Sequence, residues 1–550
     1  MILHQSPTIA NGIELLPPAR SDAGFAEDSA PPLTAEASVL RLVEAPGGDG
    51  RDSRDGPTPD FSLDGDGHAE FVADKYRERA ERWGLEFFLT HEGEPMVRLP
   101  GPGRRKVLRV QSREFRHEID LRFRAEGEDY TTASLKEWQN KFEPLASERR
   151  CKVDVRWSWQ EDGLWIDLAS ADGRALHLKH TPSAWEWETV AEAPCVFRQT
   201  PQQRPLPEPD FSGRLEEVFS FFPALPSDED RLLFAAWLPS AYLHIPRPIL
   251  MLSGPPGSGK TTAAQFIKDL LDPATHGLLG QNARSDWELS ASNNAILALD
   301  NVRPFSKAEN DFFCKLITGA TTARRKLYED SKEVLWSFMR PAITTSVDLP
   351  TTAADVIDRS IIYHFDPLTD ESRRTLADLQ AGFAAARPRL LGAVLGALRD
   401  ALNAQTGIPK DHLGRLADWH HFGRAVTKAA LGRDPEGFDK ACRKMEERQR
   451  LAALQNPVIV ALHALARRMG RWEGTYTELL SLLEKTAADE HIHYTRASWP
   501  GSSIALGMSL RQFAPVFPQL GVTVECRRQR DGRKVCIHYR AERDASTGQN

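Results

Sequence analysis

LMLSGPPGSGKTTAAQFI, Leu250 to Ile267, is an apolar run that enters a glycine-rich turn, meets a lysine and two threonines, and continues with helical spacing. The turn matches G-x-x-x-x-G-K-[ST] from Gly254 to Thr261. Gly257 and Gly259 permit backbone angles that a side chain resists, so successive N–H groups can turn toward one phosphate. The spacing assigns Gly254, Pro255, Pro256, Gly257, Ser258, Gly259, Lys260, Thr261 and Thr262 to a triphosphate cradle. Lys260 reaches the β- and γ-phosphates, and Thr261 places its hydroxyl on Mg²⁺. The helix that follows starts at the phosphates and adds the attraction of its N-terminal partial charge. The expected ligand is ATP with Mg²⁺.

Such a cradle needs a carboxylate at the end of a neighbouring strand to help hold the metal. NAILALDN, Asn294 to Asn301, supplies Asp300 at the end of an apolar run. That places Asp300 with Thr261 as the metal-holding pair. The next position holds Asn301, where ATPases of this kind commonly carry a second acid that polarises water. Either Asn301 positions the water or the base comes from elsewhere, with Glu288 and Glu309 close in sequence. MRPAITTSVDLP then offers a short strand ending in Thr344, Thr345 and Ser346, hydroxyls suited to sensing the γ-phosphate or its water. DVIDRSIIYHF sets Arg359 before a further strand, where it fits a finger on the transferring phosphoryl group; pairing with Asp355 or Asp358 is the alternative. Lys260, Asp300, Asn301 and Arg359 are the expected catalytic set.

The whole chain has 550 residues, 41% hydrophobic and 27% charged, with a net charge of −7. An acidic balance means that contact with nucleic acid must be local. The six cysteines form no CxxC pair, which points away from zinc and disulfides and toward a reducing cytoplasm. No apolar run reaches the length of a membrane span, and the N-terminus does not read as a signal peptide. His420-His421 and His491/His493 lack the spacing of a metal site.

Composition divides the chain as follows. Residues 1–60 read as a disordered tail rich in Gly, Pro and Asp. Residues 61–200 read as an α+β domain ending in a β-meander, with Asp162-Gly163 and Asp172-Gly173 as hairpin turns. Its tryptophans (157, 159, 165, 185 and 187) suit either a sheet core or base stacking. Residues 201–212 are a proline-rich linker. Residues 213–370 form the ATPase core, 371–455 a helical region, and 541–550 a tail. Residues 456–540 show three helical stretches and two strand-like runs, the pattern of a winged helix. Its wing carries Arg527, Arg528, Arg530, Arg533 and Lys534, a local basic patch suited to a phosphate backbone.

The order cradle, acid-ended strand, polar-ended strand and arginine resembles the AAA+ ATPases. It more closely resembles the superfamily-3-like ATPase part of helicase–primases from phages, plasmids and integrative elements. AWLPSAYLHIPRPILMLSGPPGSGKTTAA, ILALDNVRPFS, ITGATTARRKLYEDSKEVLW and PTTAADVIDRSIIYHF carry the resemblance. It covers about Leu232 to Asp366 well and the final module more loosely. The resemblance implies an α/β P-loop NTPase fold, a hexameric ring with ATP between subunits, and DNA through the centre. It also implies a basic hairpin over 323–336 aimed at that DNA, with Arg324, Arg325, Lys326 and Lys332 on phosphates. Two functions remain open. One is a DNA motor, a helicase or replication initiator of a mobile element. The other is a switch ATPase whose winged helix binds an operator or a protein.

Overall fold

The computed structural model describes residues 66–540, apart from 223–224, 226, 282–283, 321, 326–332, 337–338, 370–373, 495–498, 515–516 and 530–531. Both expected tails lie outside these residues.

The centre of the molecule is a five-stranded sheet in which every pairing is parallel. Its strands are β1 (Ile249–Ser253), β2 (Leu279–Gly280), β3 (Leu297–Asp300), β4 (Ala342–Ser346) and β5 (Ser360–His364), in the order β2-β3-β4-β1-β5. β1 and β4 are buried along their whole length and read as continuous apolar or hydroxyl runs, as a sheet covered on both faces requires. One face packs Leu250, Leu252, Ala298, Ile343 and Ile361 against the helices Asp228–Ser240, Lys260–Leu271 and Leu376–Ala404. The other packs Ile249, Met251, Leu297 and Leu299 against the helices Arg284–Asn293 and Lys307–Thr318. β1 feeds β2 at one edge while β5 closes the other, so the strand order reverses at β1. Ligands of open parallel sheets gather at the carboxyl ends beside such a point.

The boundaries drawn near 200 and 370 do not coincide with breaks in the apolar core. The meander of four strands between Trp157 and Val190 turns Leu164, Ile166, Leu176 and Leu178 into the same cluster as the central sheet. That cluster continues to Phe438 and Cys442 in the helical region. An exposed meander face would cost about 25 cal/mol per Å² of apolar surface, and these helices are what covers it. The tryptophans take part. Trp159 donates to the Tyr242 carbonyl at 2.8 Å and Trp187 to the Leu395 carbonyl at 2.9 Å, so both serve packing.

Residues 201–212, expected as a linker, are strapped down instead. Arg204 N–H donates to the Pro273 carbonyl, Leu206 to Leu168 and Asp210 to Pro388. Prolines pre-set an extended backbone, these amides fasten it to its neighbours, and Leu206 is buried in the central cluster. The segment up to Cys151 keeps a core of its own, built on Trp83, Phe115, Phe123, Trp138 and Phe142.

The C-terminal module has the three expected helices, Pro457–Met469, Tyr476–Asp489 and Ser503–Gln512. Its sheet has three strands, one more than expected. Arg471–Thr475, between the first two helices, pairs with Gly532–Tyr539, which pairs in turn with Val522–Gln529. RWEGT is too short and polar to announce a strand; its pairing partner makes it one.

Candidate nucleotide-binding site

The cradle leaves the carboxyl end of β1. Gly254 has φ 141°, and a Cβ there would sit 2.2 Å from the Phe365 carbonyl oxygen, so only glycine lets the loop pass this close to the chain leaving β5. Gly254 N–H donates to the Val347 carbonyl at 2.9 Å, which ties the loop to the chain leaving β4. Gly257 (φ 77°) and Gly259 (φ 87°) take the left-handed region that the turn needs. Ser258 is buried, and its hydroxyl donates to the Pro255 carbonyl at 2.9 Å.

The helix Lys260–Leu271 begins on Gly259, which provides no side-chain cap. The helices that begin at Asp228, Lys307 and Tyr476 are capped by Ser227, Ser306 and Thr475. Its first-turn amides are therefore left for a ligand, the arrangement that suits an anion. Lys260 extends over the loop, donating to the Pro255 carbonyl at 2.7 Å and the Ser258 hydroxyl at 3.1 Å. Burial draws its ammonium below the ordinary lysine range, against the pull of Asp300.

Asp300, at the end of β3, meets the cradle. Thr261 donates to its Oδ1 at 2.9 Å, and Thr345 from β4 donates to the same oxygen at 2.5 Å. Thr345 also accepts the Asn301 N–H at 2.9 Å. Asn301 holds a left-handed backbone, φ 51°, a conformation that asparagine tolerates better than most residues. Of the two expected sensors, Thr345 thus anchors the acid. Thr344 and Ser346 are buried with hydroxyls that have no protein partner. An uncapped helix start, an ammonium over a glycine turn, and a hydroxyl paired with a carboxylate fit a triphosphate and a divalent cation. Thr261 and Asp300 would hold that cation.

Glu309 is engaged as the far half of a capping box: it accepts the Ser306 N–H and also the Gln281 amide at 2.9 Å. Gln281 in turn accepts the Arg303 N–H at 2.5 Å. Beyond Ser253 a cavity of about 510 Å³ opens between the strand ends and the helix Glu436–Leu454, lined in part by Tyr363, His364, Gln455 and the Asp230–Arg448 ion pair.

Arg359 lies at the other end of the sheet. It precedes β5, one strand length or roughly 15 Å from the carboxyl ends, and so faces away from the cradle of its own chain. Its guanidinium donates to the Asp355 carbonyl at 2.5 Å and to the Asp355 carboxylate at 3.3 Å, while Arg415 bridges Asp355 and Asp358.

Arg324 and Arg325 fall on Thr322–Arg325, which pairs antiparallel with Glu333–Trp336; Lys326 and Lys332 lie outside the described residues. In the final module Arg527 and Arg528 fall on Val522–Gln529 and Arg533 and Lys534 on Gly532–Tyr539, with Lys534 opposite both Arg527 and Thr475. Arg530 lies outside the described residues. Among the described residues no cluster of three or more His, Cys, Asp or Glu could hold a metal ion. His420 contacts Asp439, and His421 the Ile408 carbonyl. Among them, too, no helix is long and apolar enough to cross a membrane.

The sequence did not point to a buried network behind the site. Asp272 accepts from Lys268 at 2.5 Å, from Arg156 at 3.2 Å, and from the N–H groups of Ala295 and Ile296. It ties the end of the cradle helix to the start of β3. Lys268 and Asp272 are four apart at the end of a helix, a spacing too common to single them out.

Two family models match the chain in order. Residues 224–435 match the actinomycete integrative conjugative element replication protein, and residues 458–547 match the C-terminal domain of the same RepA family. Among solved structures the chain is similar to the apo NrS-1 C-terminal region. One such structure has 13% identity and a TM-score of 0.37, covering 84% of this chain and 98% of that one. Another has 12% identity and a TM-score of 0.38, covering 84% and 97%. No curated protein matches this chain.

Proposed function

From the premise of a replication protein of the integrative-conjugative-element kind, we propose that this chain is an ATP-hydrolysing DNA motor. In this reading the central sheet is a P-loop ATPase core of the AAA+ type, and the last module is a winged helix. The observation that carries the reading is the meeting of Thr261 with Asp300. Thirty-nine residues separate them in sequence, yet they share a hydrogen bond at the start of an uncapped helix, beside a lysine. Bound Mg²⁺ would supply neutralisation of the triphosphate charge. The chain's own groups do the rest. The loop amides and Lys260 orient the phosphates, Thr345 keeps the Asp300 carboxylate aimed, and Asn301, in the place of a second acid, would position the water. Arg359 faces away from this cradle, so it fits a finger only toward a neighbouring copy in a ring. The wing arginines and the 322–336 hairpin are the proposed DNA contacts.

Asn301 favours a second reading. Without an acid at that position hydrolysis is slow, which suits a switch whose assembly follows ATP binding. A strand-displacement assay on a forked duplex separates the two. ATP-dependent unwinding that Lys260→Ala abolishes supports the motor. ATP-dependent oligomerisation without unwinding supports the switch. If ATP neither binds nor is hydrolysed, both readings fall.

A further inference from the structure

At the amino ends of the central strands two guanidinium groups share one buried corner. β1 and β4 pair with Leu250 opposite Ile343, and carrying that register back three residues sets Arg247 level with Arg340. Arg247 is 3% exposed. It donates to the Leu243 carbonyl, while its Nε and Nη1 are buried with no partner, and no carboxylate neutralises it among the described residues. Arg340 is half-buried and donates through Nε to the Ala291 carbonyl at 3.2 Å. His244 lies at the surface of the same shelf; Arg247, Lys152 and Arg340 act on it as repelling cations and Asp154 as the opposing charge. Asp154 itself is occupied by Lys152 at 2.8 Å and the Ser158 hydroxyl.

A charge buried without a counter-ion is costly unless something outside compensates it. Arg247, level with Arg340 and the more buried of the two, sits in a low-dielectric wall, so its field adds to that of Arg340 and makes the shelf attract anions. The location narrows the ligand. Arg340 follows the strand Glu333–Trp336 by four residues, so the shelf is the foot of the hairpin that the motor reading directs at DNA. We propose that this shelf binds a backbone phosphate of single-stranded DNA as the strand passes the hairpin, with Arg340 in contact, Lys152 joining it, and Arg247 as the fixed buried charge beside it. The inference rests on the DNA-motor reading and adds a contact at the opposite end of the sheet from the nucleotide.

The test is binding of a fluorescent oligothymidylate by the full chain across a salt series, with Arg340→Gln and Asp154→Asn. The first variant removes the contacting cation. The second removes Asp154, one of the two carboxylates that act on Arg340 with Asp272, and frees Lys152. Arg340→Gln should weaken binding about fivefold and lower the salt exponent by about one, whereas Asp154→Asn should tighten binding severalfold. Both should bind an ATP analogue as the parent does, which shows that the core has folded. Opposite signs from two neighbouring substitutions are not expected of a purely structural corner. If the parent binds DNA and both variants match it, the shelf is not a DNA contact. The same holds if inorganic phosphate stabilises the parent but not Arg340→Gln while DNA binding is unchanged, because the shelf then holds a free anion. If the parent binds no DNA, the motor reading fails first and takes this inference with it.

Discussion

Replacing Asp272 by asparagine keeps its shape and removes its charge. Lys268 and Arg156, both 0% exposed in their side chains, would then be two buried cations without a counter-ion. The amide would also turn a donor toward groups that are all donors: an ammonium, a guanidinium and two backbone N–H groups. Breaking a buried pair by removing one partner costs about 3–5 kcal/mol. For a folding unit of 150–250 residues that is a drop in melting temperature of roughly 10 °C. Differential scanning calorimetry at neutral pH is the assay. Acid adds a second check. Burial pushes the Asp272 carboxyl up, but Lys268 and Arg156 outweigh it and hold it at about 2. The folded value is thus below the unfolded one of about 4, so the stabilisation is complete above pH 4 and is lost as pH falls toward 2. It amounts to about 2 kcal/mol, and Asp272→Asn should lack that part of the acid limb. A fall in melting temperature of less than about 2 °C would refute the view that this carboxylate neutralises the corner.

Other outcomes follow from the site. Thr345→Val removes the hydroxyl that steadies Asp300, and the Mg²⁺ concentration for half-maximal ATP turnover should rise about tenfold; an unchanged Mg²⁺ titration contradicts that role. Gly254→Ala forces a methyl against the Phe365 carbonyl, and nucleotide binding should be lost while the C-terminal module still unfolds at its own temperature. Arg359→Ala should leave ATP-analogue affinity as it was and lower turnover by a factor of about 10³ or more, because the residue points away from its own cradle. Mixing it with Lys260→Ala should restore part of the rate if each supplies what the other lacks.

The cradle and its acid were legible because local chemistry dictates them. Glycines mark turns that other residues resist, and an apolar run ending in Asp300 can only be a buried strand with a polar end. The hairpin turns at Gly163 and Gly173 were readable for the same reason. The 201–212 strap was not, since proline-rich composition reads alike whether its amides meet water or the Pro388 and Leu168 carbonyls. Nor was the Arg156–Lys268–Asp272 network, whose members lie up to 116 residues apart and become partners only when the meander docks on the sheet. The strand Arg471–Thr475 depends wholly on a partner some 60 residues later. Arg247 precedes β1 with no local signal of its neighbour Arg340, which is set by the β1–β4 register.

The central claim is that the Gly254–Thr262 loop and Asp300 together hold a triphosphate that is cleaved. Its most direct test is steady-state phosphate release from Mg²⁺-ATP by the full chain and by Lys260→Ala, with and without single-stranded DNA. The account predicts turnover by the parent, stimulated by DNA, and none above background from the variant. Equal rates from the two proteins would contradict it.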